Sequence, residues 1–298
     1  MPPWENFEPF IVSGLALGGV YALSGVGLVV LYRATGVLYL AFGAVGAFGA
    51  LIAWSLITKA GVPGWVGWLA CVAVAAAVTF GYGLLFGPAL ARRDPLVKAV
   101  ATIGLTLILY GVMDLLWTTS GGQARSLTLP TDNGGFTVGT VQVTWTQVIA
   151  LGAGVVLTVV TSAFLRYTKL GTAMRAMAND REITATLGVP VRRVEAAGWL
   201  GCGVLGGIAG LLLADLVALD ATTLTFLVIS SLAAVLVAQL RSIPVTFAAA
   251  ILLGLLHDLL TPIVALTNYR DMTPFVIAVI ALLVMSRHRV IVTSREEA

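Results

Sequence analysis

Few side chains in this sequence are equipped for chemistry. The acids inside apolar stretches are Asp114 in GVMDLLW, Asp215 in LLLADLV and Asp258 in GLLHDLL, and the histidines are His257 and His288. An ionisable group at membrane depth reads as functional by default. All three aspartates, however, are expected near the outer ends of their stretches, where water and headgroups can solvate them. No His-Glu-x-x-His pair or His/Cys cluster spaced for a metal occurs, and no Gly-Lys dipeptide exists to close a phosphate-binding P-loop. Cys71 and Cys202 stand in apolar surroundings and read as small buried residues, without a disulfide or a metal. The expectation is a chain that is not an enzyme and carries no cofactor. Its one dense run of charge and helix punctuation is KLGTAMRAMANDREITATLGVPVRR, residues 169–193.

The elements that must hold this run are apolar. The 298 residues are 59% hydrophobic and 10% charged, with a mean hydropathy of +0.99, against roughly 25% charged residues in soluble domains. Apolar stretches occupy about 10–31, 36–57, 64–90, 98–118, 143–165, 195–214, 223–240, 245–261 and 273–286. Lengths near 20 residues suit a hydrocarbon core of about 30 Å, so the expected fold is all-α, a polytopic helical membrane protein forming a single transmembrane domain over 1–298. The last three stretches are short, and one of them reads equally as a half-helix or re-entrant piece, so eight and nine spans both stay open. Between them, 120–142 (SGGQARSLTLPTDNGGFTVGTVQ) reads as a polar external loop with a small β-hairpin. The start, MPPWENFEPF, has no Lys or Arg and does not resemble a cleavable signal peptide, so the first span is expected to be retained.

Short-loop Lys and Arg favour the cytoplasm. Placing 91–98 and 166–193 inside leaves only Lys59, Arg125 and Arg270 outside and puts the C-terminus in the cytoplasm. The basic residues thus sit at membrane edges, which makes lipid the expected neighbour and not nucleic acid. Gly14/Gly18, Gly203/Gly207 and Gly206/Gly210 have small-xxx-small spacing, and Gly43, Gly46 and Gly49 are expected to line one helix face, as close helix packing requires.

Within the charged run, Lys169-Leu170-Gly171 is expected to break the preceding span, and Thr172 to Ala178 to form a short helix carrying Arg175. Asn179 or Asp180 suits the N-cap of a second short helix with Glu182 in its first turn. Gly188 fits the C′ position and Pro190 stops any continuation. Ile183 and Leu187 form an i, i+4 apolar pair on this elbow. A solvated loop needs no such punctuation and a lipid-binding patch needs no acids, which leaves a docking element for a cytoplasmic partner.

The pattern G-x-x-x-R-A-x-x-x-D-x-x-x-x-A-x-x-G-V, carried by Gly171, Arg175, Ala176, Asp180, Ala185, Gly188 and Val189, resembles the cytoplasmic segment of LivH-type permeases, the membrane subunits of ABC importers for branched-chain amino acids. The likeness extends to GLALGGVYAL (14–23), ATIGLTLIL (101–109), GGIAGLLLA (206–214) and Tyr269-Arg270-Asp271. The resemblance implies a multi-pass permease of the bacterial cell membrane whose coupling helix, about 168–193, contacts the ATPase through Gly171, Arg175, Ala176, Asp180, Ala185 and Gly188. It implies ABC ATPase subunits that use the ATP, a second homologous permease subunit and an extracytoplasmic substrate-binding protein as partners. Two segments depart from the family pattern. Leu40-Ala41-Phe42-Gly43 stands where Asn-Phe-Ala-x-Gly is usual, and Ala238 to Val245 keeps Ser and Pro but loses the glycines of Gly-Gly-x-Gly-Ser-x-x-Gly. An ion-coupled secondary transporter is the competing class; it needs polar groups near the bilayer midplane, which the sequence scarcely offers.

Overall fold

The computed structural model describes residues 7–91, 93–117, 127, 134–138, 141–217, 219–226, 228–240, 242–262, 272–277 and 279–280. Helix α1 (Glu8–Thr35) starts with Pro in its first turn and ends at Gly36, whose φ of 66° lets its N–H reach the Tyr32 carbonyl at 2.7 Å. It is apolar on every side, the signature of a buried helix. Helices α5 (Trp145–Tyr167), α8 (Val191–Leu216), α10 (Val228–Val237) and α11 (Ile243–Leu259) enclose it. Helices α2 (Phe42–Ala60) and α3 (Gly64–Leu90) pack on α8, while α4 (Pro95–Trp117) touches α2 and α9 (Ala221–Phe226) and is the least covered long helix. A hairpin of β1 (Gly135–Val138) and β2 (Val141–Thr144) precedes α5, and Thr144 closes a capping box with Gln147.

Six described helices, α1 to α5 and α8, are long and apolar enough to cross a membrane; α11 and the interval 221–237 are shorter apolar pieces. The chain is thus a polytopic helical membrane protein. Of the ninth stretch, 273–277 and 279–280 are helical, and the rest, with the C-terminal tail, lies outside the described residues. So does most of the loop 120–142, although the hairpin expected in it is present. Asp114, Asp215 and Asp258 each stand in the last turn or two of their helix.

Glycine lets these helices touch backbone to backbone. A Cβ on Gly18 would stand 2.8 Å from the Ile251 Cα, one on Gly203 2.7 Å from the Ala76 Cα, and one on Gly46 3.0 Å from the Gly206 carbonyl. The glycines of α2 do not line one face as expected and do not share one partner. Gly43 meets α9, Gly46 meets α8 and Gly49 meets Cys71 of α3, because a three-residue step drifts about 60° around a helix of 3.6 residues per turn.

The second stretch departs from expectation. Residues 36–41 are not helical, although Val37, Tyr39 and Ala41 are buried. Non-helical backbone at membrane depth needs partners inside the protein. Thr102, fully buried on α4, supplies them: its Oγ1 accepts from the Leu40 N–H at 3.1 Å and has the Leu38 carbonyl at 3.2 Å and the Ala99 carbonyl at 2.8 Å within donor reach. Thr102→Val keeps the shape and removes the hydroxyl, so it is expected to cost about 1–3 kcal/mol. A clear fall in melting temperature of the purified protein, absent in Thr102→Ser, would bear this out.

Candidate functional site: the elbow between α5 and α8

Thr168 builds the elbow's first corner. Its hydroxyl donates to the Phe164 carbonyl at 2.7 Å, closing α5, and accepts from the Gly171 N–H at 3.0 Å, opening α6 (Lys169–Asn179). The break therefore falls at Thr168, and Lys169-Leu170-Gly171, expected to be the breaker, is the first turn of the next helix. Gly171 is needed for a different reason. A Cβ there would collide with the Phe164 carbonyl and the Leu165 Cα, because α6 folds back onto the end of α5. Met174 and Met177 face inward, 1% and 7% exposed, and fix α6 against the bundle. Arg175 points the other way. Its guanidinium donates to the Arg166 carbonyl at 3.3 Å and the Thr172 hydroxyl at 3.4 Å, placing a cation at the negative end of α5.

Asp180 makes the second corner. One carboxylate oxygen accepts from the Glu182 and Ile183 N–H groups at 2.8 and 2.9 Å, an N-cap for α7 (Arg181–Thr186), and Thr184 donates back to the Asp180 carbonyl at 2.5 Å. The helix ends with the Gly188 N–H on the Ala185 carbonyl at 3.1 Å, and Gly188 has φ 82° as its C′ position requires. Pro190 caps α8. Arg181 then ties α7 to α8 through Nε and Nη2, 2.9 and 2.7 Å from one Glu195 oxygen.

Of the six residues expected at the site, Gly171 is buried and Ala176 half-buried, while Arg175, Asp180, Ala185 and Gly188 are exposed along the outer side. Between them stand Ile183 and Leu187, 60% and 77% exposed. The elbow is a ledge with an apolar edge, anchored at both ends to long helices. Thr168 and the Arg181–Glu195 pair were not read from the sequence. A Thr before a helical run is a local cap signal, whereas a pair 14 residues apart has no local signature. Nothing within 4 Å surrounds a Cβ added at Gly188, so Gly188→Val is opposed by backbone strain alone, about 1–3 kcal/mol. The expected result is faster amide exchange over 181–188 together with a lower melting temperature, while the Gly188→Asn variant, whose side chain tolerates a left-handed backbone, changes both less.

Among the described residues no group of three potential metal ligands occurs. The arrangement can carry force or hold a partner. The profile of a protein family described as "Branched-chain amino acid transport system / permease component" matches residues 10–285. The chain is 24% identical to the high-affinity branched-chain amino acid transport system permease protein LivH of Escherichia coli K12, over 94% of this chain and 95% of that one. It is 26% identical to the corresponding protein BraD of Pseudomonas aeruginosa, over 95% of each. Against the probable permease LivH of Methanocaldococcus jannaschii the identity is 27%, over 85% and 81%.

Proposed function

The chain belongs to the permease-component family of branched-chain amino acid transport systems, and from that premise we propose that it forms part of the translocation path of an ATP-binding cassette importer for branched-chain or similar small apolar amino acids. The observation that carries this reading is the elbow. A capped, cross-tied ledge whose two exposed apolar side chains face outward suits insertion into a groove of an ABC ATPase subunit. Gly171, Ala176 and Asp180 set its shape; Arg175, Ala185 and Gly188 lie on or beside the contact face. ATP is used by the ATPase, and this chain contributes no cofactor and no catalysis. A second homologous permease subunit and an extracytoplasmic substrate-binding protein complete the assembly in the bacterial cell membrane. Closure of the ATPases would push on α6 and α7, and the push would travel through the Thr168 corner into α5 and through the Arg181–Glu195 tie into α8.

Two measurements test this. The chain should copurify with an ABC ATPase, and vesicles holding all subunits and the binding protein should take up labelled leucine, isoleucine and valine only with ATP inside. Uptake by the chain alone, driven by an ion gradient, would replace the importer with a secondary transporter. Orientation is tested separately. In a variant lacking Cys71 and Cys202, single cysteines at Ser126 and Thr293 should show opposite accessibility in intact cells, outside and inside respectively; equal accessibility would overturn that topology.

A further inference from the structure

Near the middle of α1 the bundle holds a cavity walled by α1, α2, α8 and the α9–α10 segment, with Tyr21, Ser24, Phe42, Gly43, Gly210 and Ser231 among its lining. Its volume is about 20 Å³, room for about one water molecule. It differs from a packing defect in its polar groups. Ser24 and Ser231 are 6% and 1% exposed and reach the cavity from different helices. Thr225, next to the lining residue Leu224, is 5% exposed with a hydroxyl that has no partner. Buried hydroxyls normally bond; two lining one space, with an open third beside it, point to an occupant.

The backbone at the same wall offers the complementary groups. Phe42 and Gly43 are the first residues of α2, and the N-cap residue, Ala41, has no side chain able to accept from the first-turn amides. Those N–H groups are left at the positive end of the helix. Phe42 lies deep, since its ring approaches Gly27 to 2.8 Å of a would-be Cβ, about eight residues or ~12 Å inside the end of α1. The Thr225 and Leu224 carbonyls stand beside Gly43, 2.6 and 3.0 Å from where its Cβ would be. Leu213 and Val228 complete an apolar wall. Donors thus gather at one place, acceptors beside it, and no charged side chain lines the site.

We infer that this cavity is a transient station for the transported solute, taking the carboxylate of a zwitterionic amino acid onto Ser24, Ser231 and the first amides of α2, with the Leu224 and Thr225 carbonyls facing its ammonium. The inference rests on the importer reading and adds to it a place within this subunit. At its present volume the cavity excludes a whole amino acid, so the structure corresponds to a closed station, and the solute enters when the α9–α10 segment moves off α2. Uncharged hydroxyl and amide donors hold a carboxylate weakly, which suits a site that must release.

The test uses the complete complex in vesicles with its binding protein. Ser24→Ala and Ser231→Ala each remove one cavity-lining hydroxyl and keep the helix, so a purely structural role predicts a change in stability at most and no selective loss of transport. The station predicts that the double variant keeps its melting temperature and basal ATP hydrolysis while maximal leucine uptake falls about tenfold, the weight of roughly one net hydrogen bond. In a background lacking Cys71 and Cys202, the S231C variant should react with a small cationic methanethiosulfonate during turnover, and leucine-loaded binding protein should slow that reaction. Undiminished uptake by the double variant beside an active wild type overturns the station and leaves the importer reading intact. A wild-type complex that moves none of leucine, isoleucine and valine overturns the substrate reading itself.

Discussion

Ile183→Glu with Leu187→Glu is expected to abolish ATP-driven uptake while leaving the subunit folded. Both side chains project from α7 with most of their surface exposed, so the isolated chain loses almost no burial when they become polar. Docked in an apolar groove, the same positions would force two carboxylates out of water beside each other. Central anchors that act as hot spots are worth about 2 kcal/mol or more, and an unpaired buried charge adds to that. Binding of the ATPase should weaken by about 100-fold or more, since 1.4 kcal/mol is tenfold. ATPase copurification, uptake and the melting temperature of the free subunit report the three parts separately. Normal copurification and uptake would remove the apolar edge from the docking face and leave the elbow a purely structural corner. Arg175→Glu provides a contrast. Its guanidinium holds the Arg166 carbonyl, so the reversed charge should loosen the α5–α6 corner and lower coupling by distorting the ledge.

The elbow was legible in the sequence because its signals are local. Asp180, Glu182, Gly188 and Pro190 each act within four residues of their own position, and each stands where cap chemistry puts it. Long apolar stretches were legible for a similar reason, since helix length and composition are one-dimensional. What failed to show was anything decided between distant segments. The backbone of 36–41 leaves the helical path because Thr102, more than sixty residues away, offers it a hydroxyl. An apolar run with Gly36 at its head gives no hint of that. Gly43, Gly46 and Gly49 announced close packing but not three separate neighbours. The stretch Ala238 to Val245 shows both sides. Ser242 is retained where it caps α11 by accepting from the Val245 N–H at 3.4 Å. Gln239 and Leu240 sit at φ 54° and 59°, backbone that glycine adopts at least cost. The loss of glycine there was visible in the sequence; the left-handed backbone at Gln239 and Leu240 was not. The cavity hydroxyls were equally hidden, because two serines in apolar helices carry no spacing that marks them as neighbours.

Gly254→Leu should prevent the subunit from assembling into a stable bundle. A Cβ at Gly254 would fall on the Gly18 backbone and beside the Gly14 carbonyl, and on the other side of the contact Gly14 and Gly18 press on the backbone of Leu255 and Ile251. Where the obstacle is a flexible side chain, a new methyl can be accommodated by a rotamer change. Here it is main chain on both helices, so α11 must move away from α1 as a body. The central helix then loses contact along its most closely packed flank. Overpacking costs typically 1–3 kcal/mol and occasionally more, and in lipid no hydrophobic term drives the separated helices back together. Leu adds three carbons beyond the first clash, so a cost above about 3 kcal/mol is expected, a large fraction of the roughly 5–15 kcal/mol that holds a typical protein folded. Gly254→Ala should show a smaller loss of the same kind. Gly201→Leu is the control, because a Cβ there meets nothing within 4 Å. Yield of monodisperse protein in detergent and its melting temperature, measured for all three, order the effects. Equal stability of Gly254→Leu and Gly201→Leu would show that the α1–α11 contact is not what holds the central helix in place, and would move that role to the Gly19–Gly154 contact with α5.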